Sequence, residues 1–229
     1  VDNEPTEHRL VSVIVPCYNE SATVREAIES LHSTLEKTGE PHELVFVDDG
    51  SRDNTIEILR SIESEVTYLK VVELRRNFGQ TIAYRAGIAE ASGSYQILFS
   101  GDLEIPSEEI LKVIRALDDG ADFVNTSRKD RWGGSHALKS KIANRILNKI
   151  SNVQIQDRGS GLKGIRSEIA GLLLLYGEWH RFMPDLASVH TERITELEVP
   201  FEERKGGVSS YKGKLKSISV FLDLATVAF

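Results

Sequence analysis

The 229-residue sequence holds one cysteine, Cys17, one methionine and two tryptophans. A single cysteine excludes an internal disulfide framework and fits a reducing compartment. No stretch reaches the ~18–20 consecutive apolar residues that cross a bilayer as a helix. Neither a Gly-x-Gly-x-x-Gly fingerprint nor a Walker A loop occurs, which argues against a Rossmann dinucleotide site and a P-loop. Residues 1–9 are polar and acidic, unlike a secretory signal, and are expected to form a tail. Repeats, low-complexity tracts and obvious linkers are missing. An excess of positive charge is missing too: the net charge of −7 argues against a general nucleic-acid binder.

The composition that remains, 40% hydrophobic and 28% charged, is that of an ordinary globular chain able to bury one sizeable core. Its charge is unevenly spread. Residues 1–126 carry 11 Lys and Arg against 24 Asp and Glu, whereas residues 127–229 carry 17 against 11. An acidic half beside a basic half suggests a site with a metal on one side and an anion on the other.

Short β-rich runs at 10–16, 43–47, 68–74, 95–100 and 122–126 alternate with helical patterns at 22–37, 54–64, 80–91 and 107–118. Ser21, Asp53 and Ser107 are the expected N-caps. Such alternation predicts an α/β fold with a mainly parallel twisted sheet and helices on both faces, binding ligands beyond the carboxyl ends of its strands. The second half reads differently. A basic stretch, 127–150, is expected to be helical after Gly133-Gly134. A glycine-rich turn is expected at 159–164, then helical stretches, a strand near 194–199 and a basic loop at 203–216. The leucines at 172–175 read as core.

Polar residues gather where strands end. The first strand runs into Val15-Pro16-Cys17-Tyr18-Asn19-Glu20 and the second into Val47-Asp48-Asp49-Gly50-Ser51. Carboxylates there can accept hydrogen bonds from a base or ribose, and Tyr18 can flank a base. Arg76-Asn77-Phe78-Gly79 follows the third strand. After the fourth comes Ser100-Gly101-Asp102-Leu103-Glu104, whose two carboxylates lie two residues apart in an extended segment and can reach one hard divalent cation. Diphosphate oxygens would complete its shell, the usual way to neutralise a leaving nucleotide.

These motifs resemble the family 2 glycosyltransferases with the GT-A fold, and within them the polyprenyl-phosphate branch that includes dolichol-phosphate mannose synthases and undecaprenyl-phosphate sugar transferases. The resemblance rests on Val-Pro-x-Tyr-Asn-Glu at 15–20, Val-Asp-Asp-Gly-Ser-x-Asp-x-Thr at 47–55, Arg-Asn-x-Gly at 76–79, Asp157-Arg-Gly-Ser160-Gly161, and the 204–211 element that contains Ser209 and Tyr211. It implies that Pro16, Tyr18, Glu20, Val47, Asp49, Asn77, Gly79, Gly101 and Asp102 hold the nucleotide sugar. It implies Asp102 and Glu104 as ligands of magnesium or manganese. Arg128, Ser160, Arg204, Ser209 and Tyr211 would hold acceptor phosphate, and Asp102, Asp157 and Arg204 would be catalytic. Two positions depart from the pattern: Ser100 stands where the family's Asp-x-Asp has its first aspartate, and Ser210 where its Ser-Lys-Tyr has lysine.

On this resemblance the chain divides into a tail at 1–9, a GT-A domain at 10–211, with a nucleotide-sugar half at 10–126 and an acceptor half at 127–211, and a juxtamembrane amphipathic helix at 212–229 that is expected to precede a membrane region. Arg128, Lys129, Arg131, Lys139, Lys141 and Arg145 would meet lipid phosphate and anionic headgroups. His180 and Arg181 are further candidates for the acceptor side. The expected reaction is inverting, metal-assisted transfer of a hexose from a nucleoside diphosphate sugar to a polyprenyl phosphate at the cytoplasmic face of a membrane. Homo-oligomer formation is compatible with this reading. A saccharide or protein acceptor, and a nucleotide-sugar-binding module without transfer, are the alternatives.

Overall fold

The computed structural model describes residues 9–129, 148, 151 and 153–202. Seven strands form one sheet in the order β3-β2-β1-β4-β6-β5-β7. They are β1 Val11–Cys17, β2 His42–Asp48, β3 Leu69–Glu73, β4 Tyr95–Phe99, β5 Phe123–Arg128, β6 Leu162–Arg166 and β7 Ile194–Val199. The parallel set β3-β2-β1-β4 is built from β-helix-β steps through α1 (Val24–Glu36), α2 (Thr55–Glu63) and α3 (Gln80–Glu90). The first two steps move outward on one side of β1, and the third returns to its other side. The reversal between β1 and β4 opens the crevice at their carboxyl ends where such sheets bind ligands.

Both faces of the sheet are covered, which is why β1 and β2 read as nearly unbroken apolar runs. On one face Val11, Val13 and Val15 pack with Leu31 of α1, Leu59 of α2 and Ile110 and Val113 of α4 (Ile110–Asp118). On the other, Ile14, Val45 and Val47 pack with Ala83 and Tyr84 of α3 and with Met183 and Ala187 of a short helix, Met183–Ala187.

The mainly parallel sheet agrees with the sequence, and every expected strand and helix of the first half is found within two residues, the fourth helix opening with a 3-10 turn at Ser107–Glu109. Three local expectations are corrected. Residues 159–164 are not simply a turn: from Leu162 the chain enters β6, which runs antiparallel to both β4 and β5. Its glycines disguise a strand whose alternate residues face opposite cores. Leu173 and Leu175 are buried, but Leu172 and Leu174 are 50% and 78% exposed, because the chain leaves the turn after residues 167–170 without regular secondary structure and only two of the four side chains reach the core. The caps also differ. Thr23 and Asn54 occupy the N-cap positions of α1 and α2 without side-chain cap bonds. Ser107 is buried and exchanges hydrogen bonds with Ser30 and Thr34 instead of capping. Among the described residues no helix is long and apolar enough to cross a membrane. The expected helix after Gly133-Gly134, the 203–216 loop and the 212–229 helix lie outside the described residues.

Candidate active site

The residues expected to hold the nucleotide gather at the ends of β1 and β2. Pro16 lies within β1 and pairs with Val47 of β2, which is fully buried, while Tyr18 and Glu20 are half-buried just beyond. Asn19 holds a positive φ of 56°, receives the Arg52 N–H on its side-chain oxygen at 2.7 Å, and donates its own N–H to Ser51. Asp53 accepts the N–H groups of Ser21 and Thr55 and the Thr55 hydroxyl. Burial alone would raise its pKa, but these hydrogen bonds outweigh burial and lower it.

Asp48 and Asp49 are both buried, and both bind the chain itself. Asp48 accepts from the Ser51 N–H and hydroxyl. Asp49 accepts the N–H groups of Phe78 at 2.7 Å and Gly79 at 2.9 Å, tying the end of β2 to the loop that contains Asn77. Burial pushes the Asp49 carboxyl upward against the pull of those two bonds. Gly50 makes the junction possible: its φ is 67°, and a Cβ there would stand 2.4 Å from the Arg76 carbonyl carbon. Asp49 therefore fixes the 76–79 loop against the end of β2. Cys17, beneath this cluster, has its thiol pKa pushed well up by burial and then by Asp48 and Glu20, so it is inert packing.

Gly101, Asp102 and Glu104 follow β4. Gly101 is buried; both carboxylates are partly exposed, and Leu103 between them has a φ of 54°. A leucine in the left-handed region is a strained arrangement of the kind found where a loop must aim its neighbours. Among the described residues no three acidic, histidine or cysteine side chains form a metal-sized group. Asp102 and Glu104 offer only oxygen donors, which suits a magnesium- or manganese-like cation completed by ligand oxygens. Ser100 packs on Gly161: its N–H donates to the Gly161 carbonyl at 2.9 Å, and a Cβ on Gly161 would lie 2.6 Å from the Ser100 Cβ.

That contact joins the 100–104 loop to the residues expected to serve the acceptor. Arg128, 6% exposed, grips Asp157 through Nε at 2.7 Å and Nη2 at 3.1 Å, and Nη2 also donates to the Gly159 carbonyl. Its remaining nitrogen, Nη1, lies 3.9 Å from Glu104, and the guanidinium sits 5.7 Å over the Phe201 ring. The Ser160 hydroxyl is bonded to Thr126 at 2.5 Å. Sequence reasoning gave Arg128 and Asp157 separate roles; the fold makes them one unit. It missed the second buried pair, in which Arg158 holds Asp185 at 2.8 and 2.9 Å, and the supports Asn125 and Glu196, which bind the backbone of 156–157. The only sequence signal for these is polar residues inside apolar strands, such as Asn125-Thr126 in β5. His180 bonds the Thr81 hydroxyl at 2.7 Å and so faces α3. Arg204, Ser209 and Tyr211, with Arg131, Lys139, Lys141 and Arg145, lie outside the described residues.

The sequence profile of "Glycosyl transferase family 2" matches residues 12–172, most of the chain. The chain belongs to that family. This glycosyltransferase is 35% identical over 225 residues to an undecaprenyl-phosphate 4-deoxy-4-formamido-L-arabinose transferase of Aeromonas hydrophila, covering 96% of this chain and 68% of that protein. It is 34% identical to the protein of the same description from Edwardsiella ictaluri, over 95% and 67%. Its fold matches glucosyl-3-phosphoglycerate synthase from Mycobacterium tuberculosis, crystallised with Mn2+ and UDP-glucose, with a TM-score of 0.72, 20% identity, and coverage of 96% and 79%. The enzyme class and the GT-A fold expected from the motifs are thereby established for this glycosyltransferase.

Proposed function

We propose that this enzyme transfers a sugar from a nucleoside diphosphate donor to a polyprenyl phosphate at a membrane surface, with inversion at the anomeric carbon. The observation that carries the reading is the junction at Glu104 and Arg128. A metal-ligand candidate of the donor half lies 3.9 Å from a cation of the acceptor half, which Asp157 holds in place. The undecaprenyl-phosphate acceptor named for both relatives supports the same choice.

The acceptor phosphate is already an anion near neutral pH. One of its oxygens attacks the anomeric carbon, the bond to the diphosphate breaks, and its electron pair leaves on the nucleotide. No proton need be removed, so no general base is needed. Catalysis is positioning and charge neutralisation. Pro16, Tyr18 and Glu20, with the 76–79 loop set by Asp49, would form the base and ribose crevice. Asp102 and Glu104 would hold a divalent cation, which when bound neutralises charge on the leaving diphosphate. Arg128, with Arg204, Ser209 and Tyr211 from the 204–211 element, would receive phosphate.

The test offers a panel of nucleotide hexoses and pentoses with a short polyprenyl phosphate and manganese, and reads lipid products by mass spectrometry. The panel spans both sugar sizes because the motif resemblance implies a hexose, whereas the two relatives are named for an arabinose derivative. A glycosylated lipid phosphate is expected. Donor hydrolysis without lipid product would point to a saccharide or protein acceptor; neither reaction would leave a binding module.

A further inference from the structure

Lys163 sits in the middle of β6, opposite Leu98 of β4 and Asn125 of β5, and is 5% exposed. Leu162 beside it turns to the α4 face, and Ile165, two residues on, packs with the α3 face, so Lys163 shares that second face with Asn125. A buried ammonium group is costly unless it is held. Its Nζ donates to the Ser160 carbonyl. Burial pushes the amine down to about 8, against the opposing pull of Asp157; the other charges that bear on it are Arg128, Arg181 and Glu196. No step of the transfer described above uses it.

The carbonyl it holds belongs to the turn that presents Asp157. That turn has other anchors. Asn125 donates to the Asp157 carbonyl, Glu196 accepts the N–H groups of Gln156 and Asp157, and Ser160 bonds Thr126. All of these fix the start of the turn or the Ser160 side chain. Of the side-chain bonds described, the one from Lys163 fixes the Ser160 carbonyl, next to the Gly159 carbonyl that Arg128 uses.

We propose that Lys163 is a positioning residue for the transfer: through the Ser160 carbonyl it holds the 157–160 turn in the shape that lets Asp157 present both oxygens to Arg128. This rests on the transfer reading, and the experiment separates the two. Wild type, K163R and K163M are compared by steady-state kinetics with the donor turned over in the panel, by melting temperature, and by the nitrogen-15 Nε–H signal of Arg128. The expected result for K163M is a fall in kcat of about tenfold or more, a donor KM within about twofold, and a shifted or broadened Arg128 signal. K163R, which keeps the charge and a donor, recovers most of the loss. Wild-type kcat and the Arg128 signal both change as pH rises through about 8, and in K163R neither does. Should K163M fail to fold, K163Q, which removes the cation but keeps a polar side chain, is read in the same way. Either variant with unchanged kcat and an unchanged Arg128 signal overturns the proposal. A wild type that glycosylates no lipid phosphate sinks the acceptor reading, and Lys163 is then judged on the Arg128 signal.

Discussion

The two halves of the site hold their carboxylates in opposite ways. On the side proposed for the nucleotide, Asp48, Asp49 and Asp53 are held by backbone N–H groups and hydroxyls. On the side proposed for the acceptor, Asp157 and Asp185 are each held by a buried arginine. Neutral donors fix an acid without cancelling its charge, so the first half stays electronegative around the crevice that would take a metal and a nucleotide. Paired arginines cancel the charge and fix geometry, so the second half is less electropositive at the described site than its composition suggests. Counting Lys and Arg along a chain measures supply, and the fold decides how much of it faces a ligand.

Breaking the arginine pairs should do the greatest damage. Arg128→Ala leaves the Asp157 carboxylate buried without its partner, and a loss of about 3–5 kcal/mol of folding stability is expected, read by urea denaturation along with loss of transfer. Replacing both Arg128 and Asp157 by apolar residues should restore stability but not activity. A stable Arg128→Ala enzyme would show that the two halves are not organised as described.

On the donor side the pattern should invert. Asp102→Asn is expected to cost about 2–3 kcal/mol of transition-state stabilisation with little change in melting temperature, since the side chain lies on a partly exposed loop. Comparing donor hydrolysis and thermal melting in one preparation checks this; near-normal turnover would remove Asp102 from the metal site. Between these extremes lies Asp49→Asn. It keeps the shape but turns one of the two oxygens that accept from Phe78 and Gly79 into an amide nitrogen that cannot accept, for an expected loss of about 1–3 kcal/mol, seen as weaker nucleotide affinity in calorimetry.

The smallest effect sharpens the comparison. Asp53, held by Thr55 and Ser21, and Asp122, held by Arg193 and Thr191, both have carboxyl pKa values lowered despite burial. A lowered folded-state value means stability that is present above the unfolded value near ~4 and lost as pH falls through the folded one. Asp53→Asn and Asp122→Asn should therefore each lower the melting temperature slightly at pH 7, with both differences fading in acid. Salt should shrink only the Asp122 difference, because Arg193 is a solvent-exposed partner. Equal salt dependence would erase the distinction between the two kinds of anchoring.

Much of this was legible in the sequence, for reasons that can be named. The first half alternates buried strands and amphipathic helices, so periodicity alone placed β1 to β5 and α1 to α4. Motifs at strand ends located the crevice because a parallel sheet puts all its carboxyl ends on one rim. What escaped depends on distant pairing. Asp157 and Arg128 are 29 residues apart and read as two ligands until β5 and the 157–160 turn come together. Lys163 lies among Leu162, Gly164 and Ile165, a segment whose glycines looked like a turn and whose register only β4 and β5 define. Leu172 and Leu174 misled because a run of leucines carries no period by which to tell the side chains that face the core from those that do not.

The reversed strand β6 also has a consequence for how the protein acquires its shape. Strands β1 to β4 pair through connections of a few tens of residues, but β6 must enter between β4 and β5 after a long excursion, joining residue 99 to residue 162. Closing so large a loop is entropically slow. The nucleotide half should therefore condense first, and insertion of β6 should complete the molecule. Core truncations in β6 should accelerate unfolding while leaving the folding rate nearly unchanged, whereas truncations in β1 should slow folding. On that order of events, a growing chain carries the crevice proposed for the nucleotide before it has the site proposed for the acceptor, and competence for transfer would come only when its last central strand is in place.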